Sequence, residues 1–186
     1  MKKLLGFSIF LVFVLIASLT AEAKVTLPAI FSDNMVLQQN TQVNVWGKAA
    51  PGEKVTVKAS WLDKPVTAKA AANGKWTVKL KTPKATTNQS VTVSGENEIT
   101  INNVLIGEVW LCTGQSNMEF PVSRHPDVKW NTGMLNEAEE LKDADYPEIR
   151  LFHVKHQLAH EGELDDCEGE WLVCNPKNLY DFSAVG

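Results

Sequence analysis

Residues 104–112 read Val104-Leu105-Ile106-Gly107-Glu108-Val109-Trp110-Leu111-Cys112, and Gly114-Gln115-Ser116-Asn117-Met118 follows almost at once. So long an apolar run predicts a strand buried on both faces, as in a parallel α/β sheet, with Cys112 as a buried free thiol. Gly114 permits a sharp bend after such a strand, which is how hydrolases expose a nucleophilic serine. Ser116 is therefore the candidate nucleophile. Its local sequence fits a helix N-cap equally well.

The residues after Ser116 predict the rest of a crossover unit. Good helix formers fill Leu135 to Lys142, and Ile149 to Val154 reads as a second central strand. Strand, helix and strand form one parallel crossover. Two parallel strands leave sheet faces and edges open, so we expect residues 104–186 to be the beginning of a larger α/β domain.

Residues 24–103 predict a different fold, an antiparallel β-sandwich. Polar and apolar residues alternate in Gln42–Gly47, Lys54–Ala59 and Lys75–Leu80, and turn residues separate these segments. Ser90–Ser94 and Glu98–Asn102 continue the pattern. Short strands at this spacing are typical of sandwiches. The tryptophans of this region are expected to fill the core, with a sugar-stacking surface as the alternative; they are Trp46, Trp61 and Trp76.

The first 23 residues predict a cleaved signal peptide. Lys2 and Lys3 precede an apolar run from Leu4 to Leu19, and Ala21-Glu22-Ala23 has the small-x-small pattern of a cleavage site. The run is short for a membrane-spanning helix. The mature chain is therefore expected to begin at Lys24 and to be exported to the periplasm or medium. After cleavage we expect it not to be attached to the membrane.

The charges of the mature chain are divided unevenly. Residues 24–103 carry 10 lysines and 5 acidic residues, whereas residues 104–186 carry 6 basic and 16 acidic residues. Such a step favours a domain boundary near residue 104. The lysines alternate along predicted strands and do not cluster, so nucleic-acid binding is disfavoured.

The cysteines and histidines do not predict a metal site. Cys112, Cys167 and Cys174 are an odd number in a chain expected to be exported, and Cys167 could pair with Cys174 across a short loop. No histidine stands at a metal-ligand spacing from them. We expect neither a metal nor another cofactor.

Several further motifs occur in the same order as in one hydrolase family. They are Ile30–Gln38, Val45-Trp46-Gly47, Ala50-Pro51-Gly52, Gly74-Lys75-Trp76, Gly107–Cys112, Gly114–Met118, Tyr146–Arg150 and Phe182–Gly186. As an ordered set they resemble the sialate O-acetylesterase family, a branch of the SGNH/GDSL-type hydrolases. The resemblance implies a β-sandwich followed by a flavodoxin-like SGNH domain, and removal of acetyl groups from O-acetylated sialic acids.

The same resemblance implies roles for the residues of the serine motif. Ser116 would attack the ester carbonyl to form an acetyl-enzyme, and its backbone N–H would be one oxyanion donor. Gly114, Gln115 and Asn117 would shape the turn and the rim of the binding pocket. The ligand would be an O-acetylated sialic acid or another acetylated glycan.

The chain departs from the family pattern in its histidines. The family's base comes from a late Asp-x-x-His segment, and none of His125, His153, His156 and His160 has an aspartate three residues before it. His125 is the nearest imidazole in sequence, without a recognisable carboxylate partner. We therefore expect an N-terminal fragment that is inactive alone. The alternatives are a non-catalytic carbohydrate-binding sandwich and an acetyl xylan esterase-like activity on plant glycans.

Overall fold

The chain folds mainly into β-strands. The computed structural model describes residues 24–125, 133–160 and 162–186, so the predicted signal peptide lies outside the described residues. These residues form nine strands: β1 (Val36–Gln38), β2 (Gln42–Lys48), β3 (Lys54–Ala59), β4 (Val66–Lys69), β5 (Lys75–Lys81), β6 (Thr86–Ser94), β7 (Glu98–Gly107), β8 (Tyr146–Phe152) and β9 (Trp171–Cys174).

The alternation in the sequence becomes alternation between core and solvent. In β5, Trp76, Val78 and Leu80 are buried, while the four residues Lys75, Thr77, Lys79 and Lys81 are exposed. Side chains of a strand point to opposite faces in turn, so this pattern gives one apolar and one solvated face. The strands predicted from alternation therefore lie where expected in β2, β3 and β5.

Two sheets contribute to one hydrophobic core. The larger sheet has the order β1-β7-β6-β3-β4, and β2 pairs with β5 in a second sheet. Both sheets supply fully buried side chains to the same cluster, among them Val45, Val57, Leu80, Val93 and Ile101. Burying apolar surface between two sheets is the main stabilising contribution in such an arrangement.

The larger sheet is mixed, which corrects the prediction of purely antiparallel pairing. Strand β1 runs parallel to β7, with Val36 opposite Leu105 and Gln38 opposite Gly107. The other neighbours in this sheet, β7–β6, β6–β3 and β3–β4, are antiparallel. Strand β1 has only three residues, too few for alternation to reveal it or its direction.

The predicted buried strand from 104 to 112 is wrong beyond residue 107. Val104, Leu105 and Ile106 are buried because β7 lies between β6 and β1 and is bonded to both. Thereafter the backbone leaves the sheet, and Trp110 and Leu111 are 83% and 88% exposed. The charge step used to place a domain boundary falls inside β7.

The predicted parallel crossover is also wrong within the described residues. Strand β8 pairs antiparallel with β9, in register from Arg150–Val173 to Phe152–Trp171. Because β6 and β1 already occupy both edges of β7, that strand has no free edge to offer β8. The helical segments are short: a 3₁₀ turn (Ser116–Glu119), α1 (Glu137–Asp143) and α2 (Pro176–Leu179).

Sequence chemistry explains where α1 and α2 begin. Pro176 occupies the first turn of α2, where its missing N–H costs nothing, and the Asn175 side chain accepts a 2.9 Å hydrogen bond from the Asn178 N–H. Helix α1 has three glutamates in its first turn, where they complement the helix dipole. Within the described ranges, no helix is long and apolar enough to cross a bilayer.

Gly47 allows the close contact between β2 and Thr26 to be tested through protein stability. A Cβ at this position would overlap the carbonyl oxygen of Thr26 and lie 2.9 Å from the Trp76 ring. Gly47→Ala is therefore expected to lower the free energy of unfolding by about 1–3 kcal/mol, measured by urea denaturation. Gly107→Ala is the matched control, since the nearest heavy atom to its new methyl group lies 4.0 Å away. Equal effects of the two substitutions would contradict this packing.

Candidate active site

Ser116 lies on an exposed turn. It begins the 3₁₀ turn that runs to Glu119, and Gly114, Gln115 and Asn117 are exposed with it. The Gln115 carbonyl accepts a 2.8 Å hydrogen bond from the Met118 N–H, which closes the turn. Met118 packs against Gly114, where an added Cβ would lie 2.7 Å from the methionine Cγ. A glycine at 114 thus allows the turn to fold tightly.

The polar groups of Ser116 are free to act on a ligand. Within the described residues, neither its hydroxyl nor its backbone N–H makes a hydrogen bond. The Asn117 carbonyl accepts from the Phe120 N–H at 3.1 Å, and its side chain extends to solvent. The local geometry is thus compatible with a nucleophile and an oxyanion donor, and the roles assigned to Ser116, Gly114, Gln115 and Asn117 stay predictions.

The last residues of the chain hold the segment that follows the serine turn. The N–H of Val122 donates to the Phe182 carbonyl at 2.9 Å, and the N–H of Ala184 donates to the Phe120 carbonyl at 2.8 Å. An isolated antiparallel bridge joins Pro121 to Ser183. These backbone bonds position the turn from one side.

Two histidines near the turn have carboxylate partners. The His125 Nε2 lies 3.0 Å from the Asp181 Oδ1, and the Tyr180 ring meets the imidazole edge-on at 5.5 Å. The His156 Nε2 lies 2.8 Å from the Glu119 Oε1, at the end of the serine turn. In the described part of the chain no hydrogen bond joins either imidazole to Ser116.

Sequence reasoning missed the partner of His125. Asp181 follows His125 by 56 residues and so has no motif spacing that marks it. His153 contacts the Phe182 ring edge-on at 6.3 Å, and His160 is exposed. His153 thus follows the end of β8, and His160 lies on the surface.

The three cysteines are free thiols. Cys112 is exposed, so the expectation of a buried thiol is wrong, for the reason that the chain has left the sheet by residue 108. Cys167 is not bonded to Cys174, and burial raises the pKa of both thiols. Among the described residues no group of three or more histidine, cysteine or acidic side chains is arranged to hold a metal.

A second polar cluster lies on the outer face of the β2–β5 sheet. Lys48 and Lys75 stand opposite each other on the two strands, and their ammonium groups lie 3.0 and 2.5 Å from the two carboxylate oxygens of Asp165. Hydrogen bonds from Lys75 and then Lys48 hold the pKa of Asp165 below its usual value. The contact is therefore complete at neutral pH and is lost as the pH falls through the lowered pKa.

Trp46 stands beside this cluster and is 40% exposed, so it is not a core residue as expected. Trp76 is buried as expected, and Trp61 is half-buried with its indole N–H donating to the Lys81 carbonyl at 2.9 Å. Alternation places Trp46 on the outward face of β2, because its neighbour Val45 points into the core.

One segment connects this cluster with the serine turn. Val154, Lys155 and Gln157 form part of the wall of a cleft that Trp46 also lines. Between them, His156 contacts Glu119 of the serine turn. Residues 154–157 therefore contact both regions.

No family model matches the chain, but the relatives found among known proteins share one name. Mouse sialate O-acetylesterase is 33% identical over 150 residues, which are 74% of this chain and 26% of that protein. The human sialate O-acetylesterase is 30% identical over 162 residues, 80% of this chain and 29% of that protein. The chain spans about a quarter of the length of the curated relatives it matches.

A solved structure agrees with these relatives. It is described as a novel carbohydrate acetylesterase from Xanthomonas citri, and it superposes with a TM-score of 0.75 at 30% sequence identity. The match covers 87% of this chain and 35% of the chain of that structure. Sequence and structural likeness point to the same group of proteins, and the chain belongs to the sialate O-acetylesterase family.

Proposed function

We propose that this chain carries the nucleophile of a serine esterase that removes O-acetyl groups from sialic acids or related glycans. The observation that carries the proposal is the exposed Ser116, whose hydroxyl and N–H have no hydrogen-bond partner within the described residues. A serine that only capped a helix would accept a hydrogen bond from a backbone N–H of the following turn, and Ser116 accepts none there. The relatives' names supply the substrate class.

The reaction proceeds in two acyl-transfer steps. The Ser116 Oγ bonds to the acetyl carbonyl carbon while a base takes its proton, and the ester C–O bond breaks to release the sugar hydroxyl. Water then attacks the acetyl-serine, which releases acetate and restores the hydroxyl. The Ser116 N–H would stabilise the oxyanion formed in each step, an effect worth roughly 2.7–4 kcal/mol for one donor in serine hydrolases.

We propose that none of the histidines in the described ranges is the base of this reaction. His125 and His156 each face a carboxylate, and no imidazole in the described ranges makes a hydrogen bond to Ser116. A histidine that acts as the base must lie within hydrogen-bond reach of the serine hydroxyl, either directly or through one water. We therefore propose that this chain by itself hydrolyses acetyl esters very slowly.

The domain organisation and location of the protein are part of the same proposal. Residues 24–103, extended to Gly107 by the end of β7, would form the β-sandwich, the rest of residues 104–186 the beginning of a flavodoxin-like SGNH domain, and residues 1–23 a signal peptide for export. The likeness to a carbohydrate acetylesterase over 87% of the chain supports the wider substrate class of acetylated glycans beside sialic acids.

Trapping the acetyl group tests the nucleophile. The chain is incubated with an aryl acetate and imidazole as an external base, and acetylated peptides are identified by mass spectrometry. We expect acetyl on Ser116, and none in that peptide from Ser116→Ala. Ser60→Ala removes another exposed serine hydroxyl and serves as the control. Acetylation spread evenly over exposed serines and lysines would contradict the proposal.

A further inference from the structure

The outer face of the β2–β5 sheet combines three features of a small-ligand site. Two adjoining clefts of about 470 and 310 Å³ share Pro28, Trp46, Asp165 and Asp166 in their walls. Volumes of this order are typical of small-molecule pockets. None of the residues that line them belongs to the serine turn.

The first feature is an aromatic platform held in a fixed orientation. The Trp46 ring is partly exposed in the cleft, and buried Phe31 meets it edge-on, with centroids 4.6 Å apart and planes at 82°. Such edge-to-face contacts stabilise one ring position. A pyranose ring can pack its apolar C–H face on the exposed side of an indole held in this way.

The second feature is a pair of cations set for one carboxylate. Lys48 and Lys75 are cross-strand partners, and both ammonium groups bind the same carboxylate, that of Asp165. Without that carboxylate, two like charges directly opposite each other on neighbouring strands would repel. The pair therefore forms a receptor for a single carboxylate beside the indole.

The third feature is that the carboxylate now bound there is on an irregular segment. Residues 162–170 form no helix or strand. Around Asp165 this segment is held by the Asp166 carboxylate, which accepts a hydrogen bond from the Ala29 N–H at 2.9 Å. Asp165 is half-exposed, so its ion pairs stabilise the fold little and an external carboxylate can replace it.

We propose that the cleft around Trp46, Lys48 and Lys75 binds a pyranose that bears a carboxylate, with Asp165 holding the position of that carboxylate until the ligand displaces it. The sugar ring packs on Trp46, and its carboxylate binds the two lysines. This site goes beyond the proposed esterase function, because binding there requires neither Ser116 nor a catalytic base.

Binding to paired sugars tests the site. The chain is titrated with glucuronate and with glucose, which differ at the carboxylate, and with N-acetylneuraminic acid as a second acidic sugar. Tryptophan fluorescence and titration calorimetry report binding. We expect both acidic sugars to bind with millimolar or lower dissociation constants, and glucose to bind at least about tenfold more weakly. Added salt should weaken the binding of the acidic sugars.

Charge variants separate the roles of the groups. Asp165→Asn removes the internal competitor and is expected to tighten glucuronate binding about fivefold. The double variant Lys48→Gln, Lys75→Gln is expected to weaken it at least about tenfold. The double variant Lys54→Gln, Lys69→Gln is the matched control, because these lysines are also cross-strand partners but lie in the other sheet.

Ser116→Ala should bind glucuronate as the parent chain does, which separates this site from the esterase proposal.

Three results would overturn the inference. The first is equal binding of glucuronate and glucose, and the second is an equal loss of affinity in the two double-lysine variants. The third is that neither acidic sugar binds to the parent chain and neither binds to Asp165→Asn. Urea denaturation of each variant confirms that it is folded under the conditions of the titration.

Discussion

Trp76→Ala is expected to lower the free energy of unfolding by about 3–5 kcal/mol, the range for truncating a large aromatic side chain in a core. The Trp76 side chain is 2% exposed and belongs to the core cluster that both sheets share. Its removal leaves a cavity next to Gly47, where an added Cβ would lie 2.9 Å from the ring. Because small domains are stable by only about 5–15 kcal/mol, the variant should be near its unfolding midpoint at moderate urea concentrations.

Trp76→Phe separates packing from hydrogen bonding at the same position. The Trp76 indole N–H is buried and has no hydrogen-bond partner within the described residues. Phenylalanine removes this unpaired donor, whose burial costs about 1–3 kcal/mol, and keeps most of the ring volume. Trp76→Phe should therefore cost about 1 kcal/mol or less. If it costs as much as Trp76→Ala, the N–H has a partner that the structure does not describe.

The strands that could be predicted from sequence are those whose two faces meet different surroundings. In β3, Val55, Val57 and Ala59 are buried and Lys54 and Lys58 are exposed, so the pattern in the sequence is the pattern of solvation. Strand β1 has three residues and offers too short a pattern, and its parallel pairing with β7 joins residues about 69 positions apart.

The prediction for residues 104–112 failed because hydrophobicity does not reveal which neighbours are available. Val104 to Ile106 are buried between two neighbouring strands, whereas Trp110 and Leu111, equally apolar, have none on either side. The transition occurs at Glu108, whose carboxylate accepts hydrogen bonds from Gln38 at 3.0 Å and Gln39 at 2.7 Å. These bonds hold the pKa of Glu108 below its usual value and tie the end of β7 to β1.

The candidate sites divide in the same way. The serine turn could be found from sequence because its residues are contiguous and glycine at 114 has a local structural role. The partners at distant positions could not: Asp181 for His125, and Asp165 for Lys48 and Lys75. Only the tertiary fold brings those charges together, and nothing in their local sequence distinguishes them from solvated surface residues.

Ser116→Ala is expected to remove most of the p-nitrophenyl acetate turnover that the chain adds to the rate of imidazole alone. Without imidazole, we expect the parent chain and the variant to hydrolyse the ester at the same low rate, because the described histidines make no hydrogen bond to Ser116. A positioned general base contributes about 10²–10⁴-fold. A diffusing imidazole recovers only part of this, so we expect the parent chain to exceed Ser116→Ala by about tenfold at high imidazole concentration, once the rate of imidazole alone has been subtracted from both.

The difference between the two chains is the quantity that decides the mechanism, since imidazole itself cleaves aryl acetates at a rate that both chains share. That difference should increase with pH as the neutral form of imidazole accumulates, because only this form accepts the Ser116 proton. Ser116-dependent turnover without imidazole would mean that the chain contains its own base. His125→Gln and His156→Gln, each of which removes an imidazole that now faces a carboxylate, would then identify which histidine moves to the serine.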